Sequence, residues 1–443
     1  MSREQTHQTD GNDRGTTGRK DTQRARLLNA AVDVVARDGY ARATIASVIA
    51  QAGVSRPTFY DYFSDKDDCL LAATAEVHRR LYAATALALE RGAPEHAIRS
   101  AIATLVEFAR SEPAAARMLI NEALAGGPRA LDARDEQIAE LAQLVRTVQA
   151  RAPAGRATPD VSVRMMLGAI HRLLATRLRD ESQSMEGLAD ELQRWSESYE
   201  LPRGQHRWSS LAPAPAAPPS PLVARTPLRP PAPLRGGRHS KEKTAENHRQ
   251  RLMFAAAEAA RQKGYTAMSI ADIVKIAGLD HRAFASVFAD KKDAYMAIAE
   301  HGFERTMAVT AGAFFSGSSW PERTWEAGRA FTQFLQNNPA ITIIFVESYA
   351  VGPNASKRFD DLLNAFTLFL QLGYEEARDG RHPSSVALEA IATTNFEMGY
   401  HQARGSAGPQ ITELQPHSIF VLLAPFIGPD AANRFIDEQL PRA

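Results

Sequence analysis

A gap-free internal repeat is the feature that most constrains the fold of this 443-residue chain. Residues 26–72 align with residues 251–297 at a constant offset of 225 positions, and 16 of the 47 aligned pairs are identical. The identical pairs include turn and packing residues: Gly39/Gly264, Gly53/Gly278, Phe59/Phe284 and Phe63/Phe288. A repeat of this kind predicts two copies of one small domain. Beyond about residue 80 the two copies no longer align by eye.

The rest of the chain divides around these two copies. Residues 1–20 lack large apolar side chains and predict a disordered arm. Residues 201–240 hold ten prolines, six arginines and no acidic residue, which predicts an extended linker. Apolar residues elsewhere recur at helical spacing. We therefore expect an all-α protein with small domains at 21–72 and 241–297, each followed by a helical domain, at 73–200 and 298–443.

Three short helices are predicted in the first copy. Thr44 caps the second helix and Gly53 ends it in a left-handed conformation. Ser55 caps the third helix, and Pro57 lies in its first turn, where a missing N–H costs nothing. Two helices joined by a three-residue turn that contains glycine form a helix-turn-helix unit, which places its second helix in a major groove.

Helical periodicity assigns the two faces of the third helix. Val54, Phe59 and Phe63 face the core. The remaining positions are left near the outer face: Arg56, Pro57, Thr58, Tyr60 and Tyr62. Lys66 begins the next helix, where a cation is unfavourable unless an anion is near, so we expect it to contact phosphate.

The first copy resembles the DNA-binding domain of TetR-type transcriptional regulators. The resemblance covers about 47 residues and is carried by TIASVIAQAGVSRPTFYDYFSDKDDCL, residues 44–70. The second copy resembles it with departures, in SIADIVKIAGLDHRAFASVFADKKDAY, residues 269–295. The resemblance implies two tandem modules, each a three-helix DNA-binding domain plus a helical bundle that binds a ligand and dimerises.

The resemblance also implies roles for individual residues. Positions that hold phosphates are Thr44, Tyr60 and Lys66 in the first copy, and Ser269 and Lys291 in the second. Positions that face base edges are Arg56, Pro57, Thr58 and Tyr62. In the second copy Ala285 loses the tyrosine contact, whereas His281 and Arg282 supply donors that suit guanine. The second copy is therefore either retuned to another half-site or decayed into a structural partner.

Aromatic residues concentrate in the second helical domain and indicate either a packed core or an apolar ligand pocket. The candidate ligand-binding residues are Phe331, Phe334, Phe345, Tyr349, Phe366, Phe396, Tyr400 and His401. Polar groups such as Glu347, Asn395 or His401 would orient the ligand.

Catalytic and metal-binding patterns are missing from the sequence. It has no Walker A loop, dinucleotide fingerprint or HExxH motif, and Glu397 with His401 supplies too few ligands for a metal. We expect no enzymatic activity, no cofactor and no metal. A single cysteine and no long apolar run favour a cytoplasmic protein without a membrane span, which we expect to be nucleoid-associated. A net charge of +1 argues against indiscriminate binding to polyanions and leaves room for local basic patches.

The expected partner is double-stranded operator DNA. TetR-type regulators pair two chains through the last two helices of their bundles, which correspond here to residues 161–179 with 185–201, and 383–404 with 416–427. We expect these helices to pair within one chain, giving a pseudo-dimer that reads an asymmetric operator as a repressor and is released by a small apolar effector. Further association of two chains stays open. One alternative is a single DNA reader whose second module serves protein interaction or ligand sensing; the other is an enzyme with a fused reader.

Overall fold

The structure, a computed structural model, describes residues 12–122, 126–152, 156–157, 160–180, 183–202, 229–234, 239–404 and 411–440. The described chain is helical apart from one antiparallel pair of two-residue strands, β1 (Arg156–Ala157) and β2 (Leu201–Pro202). The all-α expectation is confirmed.

The described helices fall into two series, one before and one after residues 203–238. The first series is α1 (Asn12–Asp38), α2 (Ile45–Ala52), α3 (Arg56–Tyr60), α4 (Lys66–Arg91), α5 (Ala97–Ser111), α6 (Pro113–Ala116, continued by a π-helical stretch, Arg117–Glu122), α7 (Pro128–Gln149), α8 (Asp160–Arg179) and α9 (Leu188–Glu197). The second series is α10 (Lys241–Lys263), α11 (Ile270–Ala277), α12 (His281–Ala285), α13 (Lys291–Phe314), α14 (Trp320–Asn337), α15 (Pro339–Val351), α16 (Pro353–Gln371), α17 (Ser385–Ala403), α18 (Gln415–Ile427) and α19 (Pro429–Gln439). Two single 3₁₀ turns, Pro94–His96 and Leu372–Glu375, complete the set.

Helix α1 begins at Asn12, so the structure describes residues 12–20, where the sequence predicts a disordered arm, as helix. This polar stretch contains no proline, so it continues the backbone hydrogen bonds of the packed part of α1. Residues 1–11 of the arm lie outside the described residues.

Helix caps set the predicted helix-turn-helix in both halves. Thr44 Oγ1 accepts from the backbone N–H of Ser47 at 3.1 Å. Gly53 ends α2 at φ 61°, and its counterpart Gly278 ends α11 at φ 62°, a left-handed conformation that favours glycine. Ser55 caps α3 as predicted. These local signals are confirmed in the first half and recur, at the offset of 225, in the second.

Aromatic residues anchor the short third helix of each half. Phe59 and Phe63 are buried among α1, α2 and α4, while Phe284 and Phe288 are buried among the equivalent helices. Burying a side chain of this size stabilises a fold by roughly 1.5–3 kcal/mol. The outer face of each third helix is therefore presented from a fixed position.

The correspondence between the halves extends well past residue 80, which corrects the sequence comparison. Glu122 accepts a hydrogen bond from the backbone N–H of Tyr40, and Glu347, at the same offset of 225, accepts one from Tyr265. Gly127 and Gly352 precede α7 and α16 at equivalent positions. Beyond residue 80 the side chains of the two bundles differ, so the sequences no longer align by eye. The equivalent contacts show that the offset of 225 residues is nevertheless maintained.

The two halves pack against each other through their last helices. Helix α8 packs along α17, α9 also contacts α17, and α18 contacts α8. Tyr199, just after α9, donates its hydroxyl to the carbonyl of Val421 in α18 at 3.1 Å. One apolar core runs through both sets of helices. The segments expected to pair thus lie in contact within one chain.

Candidate nucleic-acid interface and ligand cavity

The outer face of α3 is the candidate reading surface of the first half. Arg56 and Pro57 are exposed, and Tyr60 is 49% exposed. The Arg56 guanidinium lies 6.0 Å from the centroid of the Tyr60 ring. Thr58 is half-buried, with its hydroxyl 2.8 Å from that of Ser55. A cation and a phenol side by side on an anchored helix provide donors for phosphate and base edges.

Tyr62 does not share that outer face. It is half-buried, and its hydroxyl donates to Gln23 Oε1 of α1 at 3.2 Å. This differs from the prediction that Tyr62 faces base edges, because the chain has turned after Asp61 and directs the ring toward α1. Gln23 therefore belongs to the support of the reading helix, a role with no local sequence signal.

The two lysines expected at phosphates have partners inside the protein. Lys66 Nζ donates to the carbonyl of Tyr40 at 3.3 Å and lies 5.1 Å from the centre of its ring. Lys291 Nζ donates to the carbonyl of Tyr265 at 3.0 Å and to that of Met268 at 3.1 Å. Burial lowers the pKa of Lys291. Backbone carbonyls thus compensate the charge at the helix N-terminus, so the argument that these lysines require an external anion is wrong.

The equivalent face in the second half carries different side chains. His281 and Arg282 are exposed on α12, and Ala285 stands where the first half has Tyr60. Ser269 caps α11 and donates its hydroxyl to Asp272 at 2.7 Å. Hydrogen bonds, first from Lys263 and then from Ser269, lower the pKa of Asp272 to about 2. The two halves therefore present unlike groups on the same scaffold.

The first reading surface lies in a domain of known family. The family model described as "Bacterial regulatory proteins, tetR family" matches residues 27–73, which span the C-terminal part of α1, all of α2 and α3, and the first two turns of α4. The N-terminal domain is a TetR-family DNA-binding domain. A comparison with curated proteins gives no match.

Solved structures similar to parts of this chain include regulators of the TetR type. The fatty acid degradation regulator FadR from Bacillus halodurans is 16% identical over 39% of this chain and 93% of its own, with a TM-score of 0.34. FadR from Bacillus subtilis in complex with stearoyl-CoA is 16% identical over 38% of this chain and 95% of its own, with a TM-score of 0.35. A TetR family regulator from Marinobacter aquaeolei VT8 is 20% identical over 42% of this chain and its whole length, with a TM-score of 0.35.

A cavity of about 110 Å³ lies in the helical bundle that follows the second helix-turn-helix, away from the TetR-family domain. Its aromatic lining consists of Phe314, Phe331, Phe359, Phe366, Phe369 and Phe396. Three predicted ligand residues, Phe331, Phe366 and Phe396, are therefore at the cavity wall. Phe359 was missed, since the period of α16 does not tell a core-facing from a cavity-facing position.

Other predicted ligand residues lie elsewhere. Phe334 and Tyr400 are completely buried away from the cavity lining, and Tyr400 packs under the guanidinium of Arg134 at 4.9 Å. Both fill space that continuous packing requires. Glu347 bonds to Tyr265 rather than facing the cavity. The side chains of the remaining candidates, Phe345, Tyr349 and His401, lie outside the described residues.

Polar groups at the cavity wall are few and uncharged. Asn395 accepts a hydrogen bond from the Ser418 hydroxyl and donates to the carbonyl of Ile391 at 3.0 Å. Thr310 is 5% exposed, and its hydroxyl has no hydrogen-bond partner among the described residues. Among the described residues that line the cavity, none is Asp, Glu, Lys, Arg or His. The cavity suits an uncharged, mostly apolar group with one hydrogen-bonding atom.

Within the described parts of the chain, no group of three or more His, Cys, Asp or Glu side chains is placed to hold a metal ion. None of the helices there is both long and apolar enough to cross a membrane.

Proposed function

We propose that this chain is a transcriptional repressor in which two unlike helix-turn-helix units, held by one pseudo-dimeric body, read an asymmetric operator. The observation that carries the proposal is the anchored α3 helix of the TetR-family domain, with Arg56 and Tyr60 on its exposed face. Its counterpart α12 exposes His281 and Arg282 from the same scaffold position.

The residues on these surfaces divide into two roles. Tyr60 and the capped N-terminus of α2 at Thr44 would contact phosphates, while Arg56, Pro57 and Thr58 would face base edges. In the second unit the equivalent groups are Ser269 for phosphate and His281 with Arg282 for bases. A guanidinium that pairs with guanine discriminates by roughly 1–3 kcal/mol against another base. Lys66 and Lys291 would act indirectly, by fixing the turn before α2 and α11.

Packing between the halves supports the pseudo-dimer. In a symmetric dimer two identical readers match a palindrome. Here α8 packs along α17, which belongs to the other half of the same chain, so the paired readers differ in sequence. Unlike half-sites follow from unlike readers.

Release by a small effector is supported by the position of the cavity relative to the second reader. Thr342 of α15 lines the cavity, and Glu347 on the same helix accepts the backbone N–H of Tyr265 at 3.0 Å. Tyr295, near the start of α13, donates its hydroxyl to the carbonyl of Ile344. A ligand that favours one position of α15 would therefore shift the second reader, to the extent of its differential affinity for the two states.

The experiment is selection of bound DNA from a random pool with the full chain, combined with native mass measurement of the complex. Arg56→Ala and His281→Ala form a matched pair, since the two positions are 225 residues apart. We expect one chain per duplex, with Arg56→Ala relaxing preference in one half-site and His281→Ala in the other. A selected site with two identical half-sites, or two chains per site, would overturn the proposal.

A single-reader function is the second candidate. It is favoured by Ala285 in place of Tyr60 and by Ile276, an apolar side chain 39% exposed on α11. In this case the second module would sense the ligand or bind another protein. One protected half-site, unchanged by His281→Ala, is the outcome that would select it.

A further inference from the structure

We propose that buried charge between the two halves selects the pairing partner. The first half supplies cations and the second half supplies the carboxylates that neutralise them, so each half accepts the other half of the chain and rejects a second copy of itself.

The centre of this surface is a completely buried carboxylate. Glu397 of α17 accepts a hydrogen bond from Arg134 Nη2 of α7 at 2.9 Å and one from Arg172 Nε of α8 at 3.1 Å. The side chains of both arginines are at most 3% exposed. Arg172 also lies over the ring of Phe396, 4.2 Å from its centroid. Two first-half cations therefore share one buried second-half anion, and Arg134 also contacts Asp135 of its own helix at 3.4 Å.

Backbone shape makes room for that carboxylate. A Cβ atom added to Gly168 of α8 would lie 2.7 Å from Glu397 Oε2, which is closer than real contacts allow. The glycine thus lets α8 approach the charged end of Glu397. Shape and charge are complementary at the same point.

Two further ion pairs around this centre have the same polarity. Arg177 of α8 binds Glu389 of α17, with N–O distances of 3.2 and 3.0 Å. Arg179 binds Asp360 of α16 at 3.0 Å. The reverse polarity occurs at one edge, where Arg404 contacts Asp132 and Asp135 of α7. Asp132 is 66% exposed, so water screens much of its contact with Arg404, whereas Arg404 and Asp135, 13% and 14% exposed and 3.6 Å apart, form a largely buried pair.

Symmetry explains why this arrangement excludes self-pairing. In a two-fold pair, each patch meets its own copy. Two first halves would bring Arg134 and Arg172 against the same arginines, and two second halves would bring Glu397 against Glu397. A buried charge without its partner is strongly unfavourable, whereas an apolar replacement of the whole cluster is often neutral or stabilising. The cluster therefore acts on partner choice more than on stability.

The test uses the full chain with a protease site inserted between residues 215 and 216, in the Pro/Arg-rich segment. The folded protein is cut, allowed to exchange, and weighed by native mass spectrometry, which separates mixed pairs from self pairs because the fragments differ in length. The wild type should keep mixed pairs in at least about a 100-fold excess, as the juxtaposition of buried like charges implies. The triple variant Arg134→Met/Arg172→Met/Glu397→Met should approach random pairing.

Two outcomes would overturn the proposal: self pairs in the cut wild type, or a triple variant that stays mixed as completely as the wild type. Thermal unfolding of the uncut variant checks its fold, and Arg134→Gln/Arg172→Gln/Glu397→Gln, closer in shape, replaces it if the methionine variant does not fold. No DNA is present in this assay. A chain that fails to bind DNA can therefore still show selective pairing of its halves. Halves that pair at random can equally belong to a chain that binds DNA.

Discussion

The carboxylate of Glu347 accepts the backbone N–H of Tyr265 at 3.0 Å, across 82 residues of sequence. Glu122 and Tyr40 make the equivalent contact in the first half at 2.7 Å. Each contact joins a helix-turn-helix domain to the bundle beneath it. Burial raises the pKa of both carboxyl groups, which the hydrogen bond from the tyrosine N–H opposes only in part.

Two substitutions of Glu347 should therefore separate the effect of its hydrogen bond on stability from the effect of its charge. Glu347→Ala leaves a buried N–H without its acceptor and should lower the free energy of unfolding by about 1–3 kcal/mol. Glu347→Gln keeps an acceptor and removes the titration. Folding raises the pKa of Glu347. The contribution of this group to the free energy of unfolding is therefore present below pH about 4.5 and is lost as the pH rises through the raised pKa.

Urea unfolding of the wild type and both variants between pH 4.5 and 8 measures this. The wild type should lose stability relative to Glu347→Gln as the pH rises. Parallel pH profiles for the two proteins would contradict the assigned burial of the charge.

His171 should give a pH dependence of the opposite sign. Burial, reinforced by the charge of Arg134, lowers the pKa of His171 to about 3, so the folded protein holds it neutral. The contribution of His171 to the free energy of unfolding is complete above its pKa of about 6.5 in the unfolded chain. It is lost as the pH falls toward the pKa of the folded state. The full chain should therefore become easier to unfold from pH 6.5 downward, and His171→Gln should flatten that decline. Chemical denaturation at pH 7, 6 and 5 tests this, and an unchanged slope in the variant would rule it out.

Gly53 should be more sensitive to substitution than another left-handed glycine. Gly53→Ala places a side chain at φ 61°, which costs roughly 1–2 kcal/mol, and its Cβ would lie 2.8 Å from Arg26 Nη2. Gly187 has φ 69°, and a Cβ atom added there would have no neighbour within 4 Å among the described residues. Gly187→Ala should therefore cost only the backbone strain. Thermal unfolding should show a larger loss for Gly53→Ala. Equal losses would mean that the contact between Arg26 and the turn adds nothing.

Tyr60 should contribute to DNA affinity without contributing much to stability. Tyr60→Ala should weaken binding to the selected operator by about 1–2 kcal/mol, as loss of a hydrogen bond to phosphate implies. Leu87→Ala is the control, since Leu87 is 45% exposed on α4, far along the chain from the reading helix. Gel-shift titration at fixed salt measures both. Equal affinities for the two variants would remove Tyr60 from the interface.

The unpartnered hydroxyl in the cavity should be detectable as a stability difference. Thr310→Val removes a buried hydroxyl that has no partner among the described residues, and should raise the free energy of unfolding by about 1 kcal/mol. Thr306→Val is the matched control on the same helix, because Thr306 donates to the carbonyl of Gly302 at 2.7 Å and should lose stability. If both variants shift in the same direction, Thr310 is not the polar group of the cavity.

Local signals determined much of the helix-turn-helix. Thr44, Gly53 and Ser55 act within three or four residues of themselves, and Phe59 repeats at Phe284 because the short helix has only one buried face. Such effects depend on neighbouring backbone and on helical period, so the sequence specified them in both halves.

Tertiary structure decided which polar side chains are bound inside the protein and which remain exposed to a ligand. Lys66 donates to a carbonyl 26 residues away, whereas its position at a helix N-terminus predicted a contact with phosphate. Tyr62 donates to a glutamine 39 residues away, whereas helical periodicity predicted that it lies near the outer face. Glu397 lies four residues before His401, but the side chains that bind it are those of Arg134 and Arg172, more than 200 residues earlier in the chain. The environment of a buried charge is set by the helices that pack around it. Here those helices come from both halves of the chain, and no local sequence pattern encodes a contact between residues so far apart in sequence.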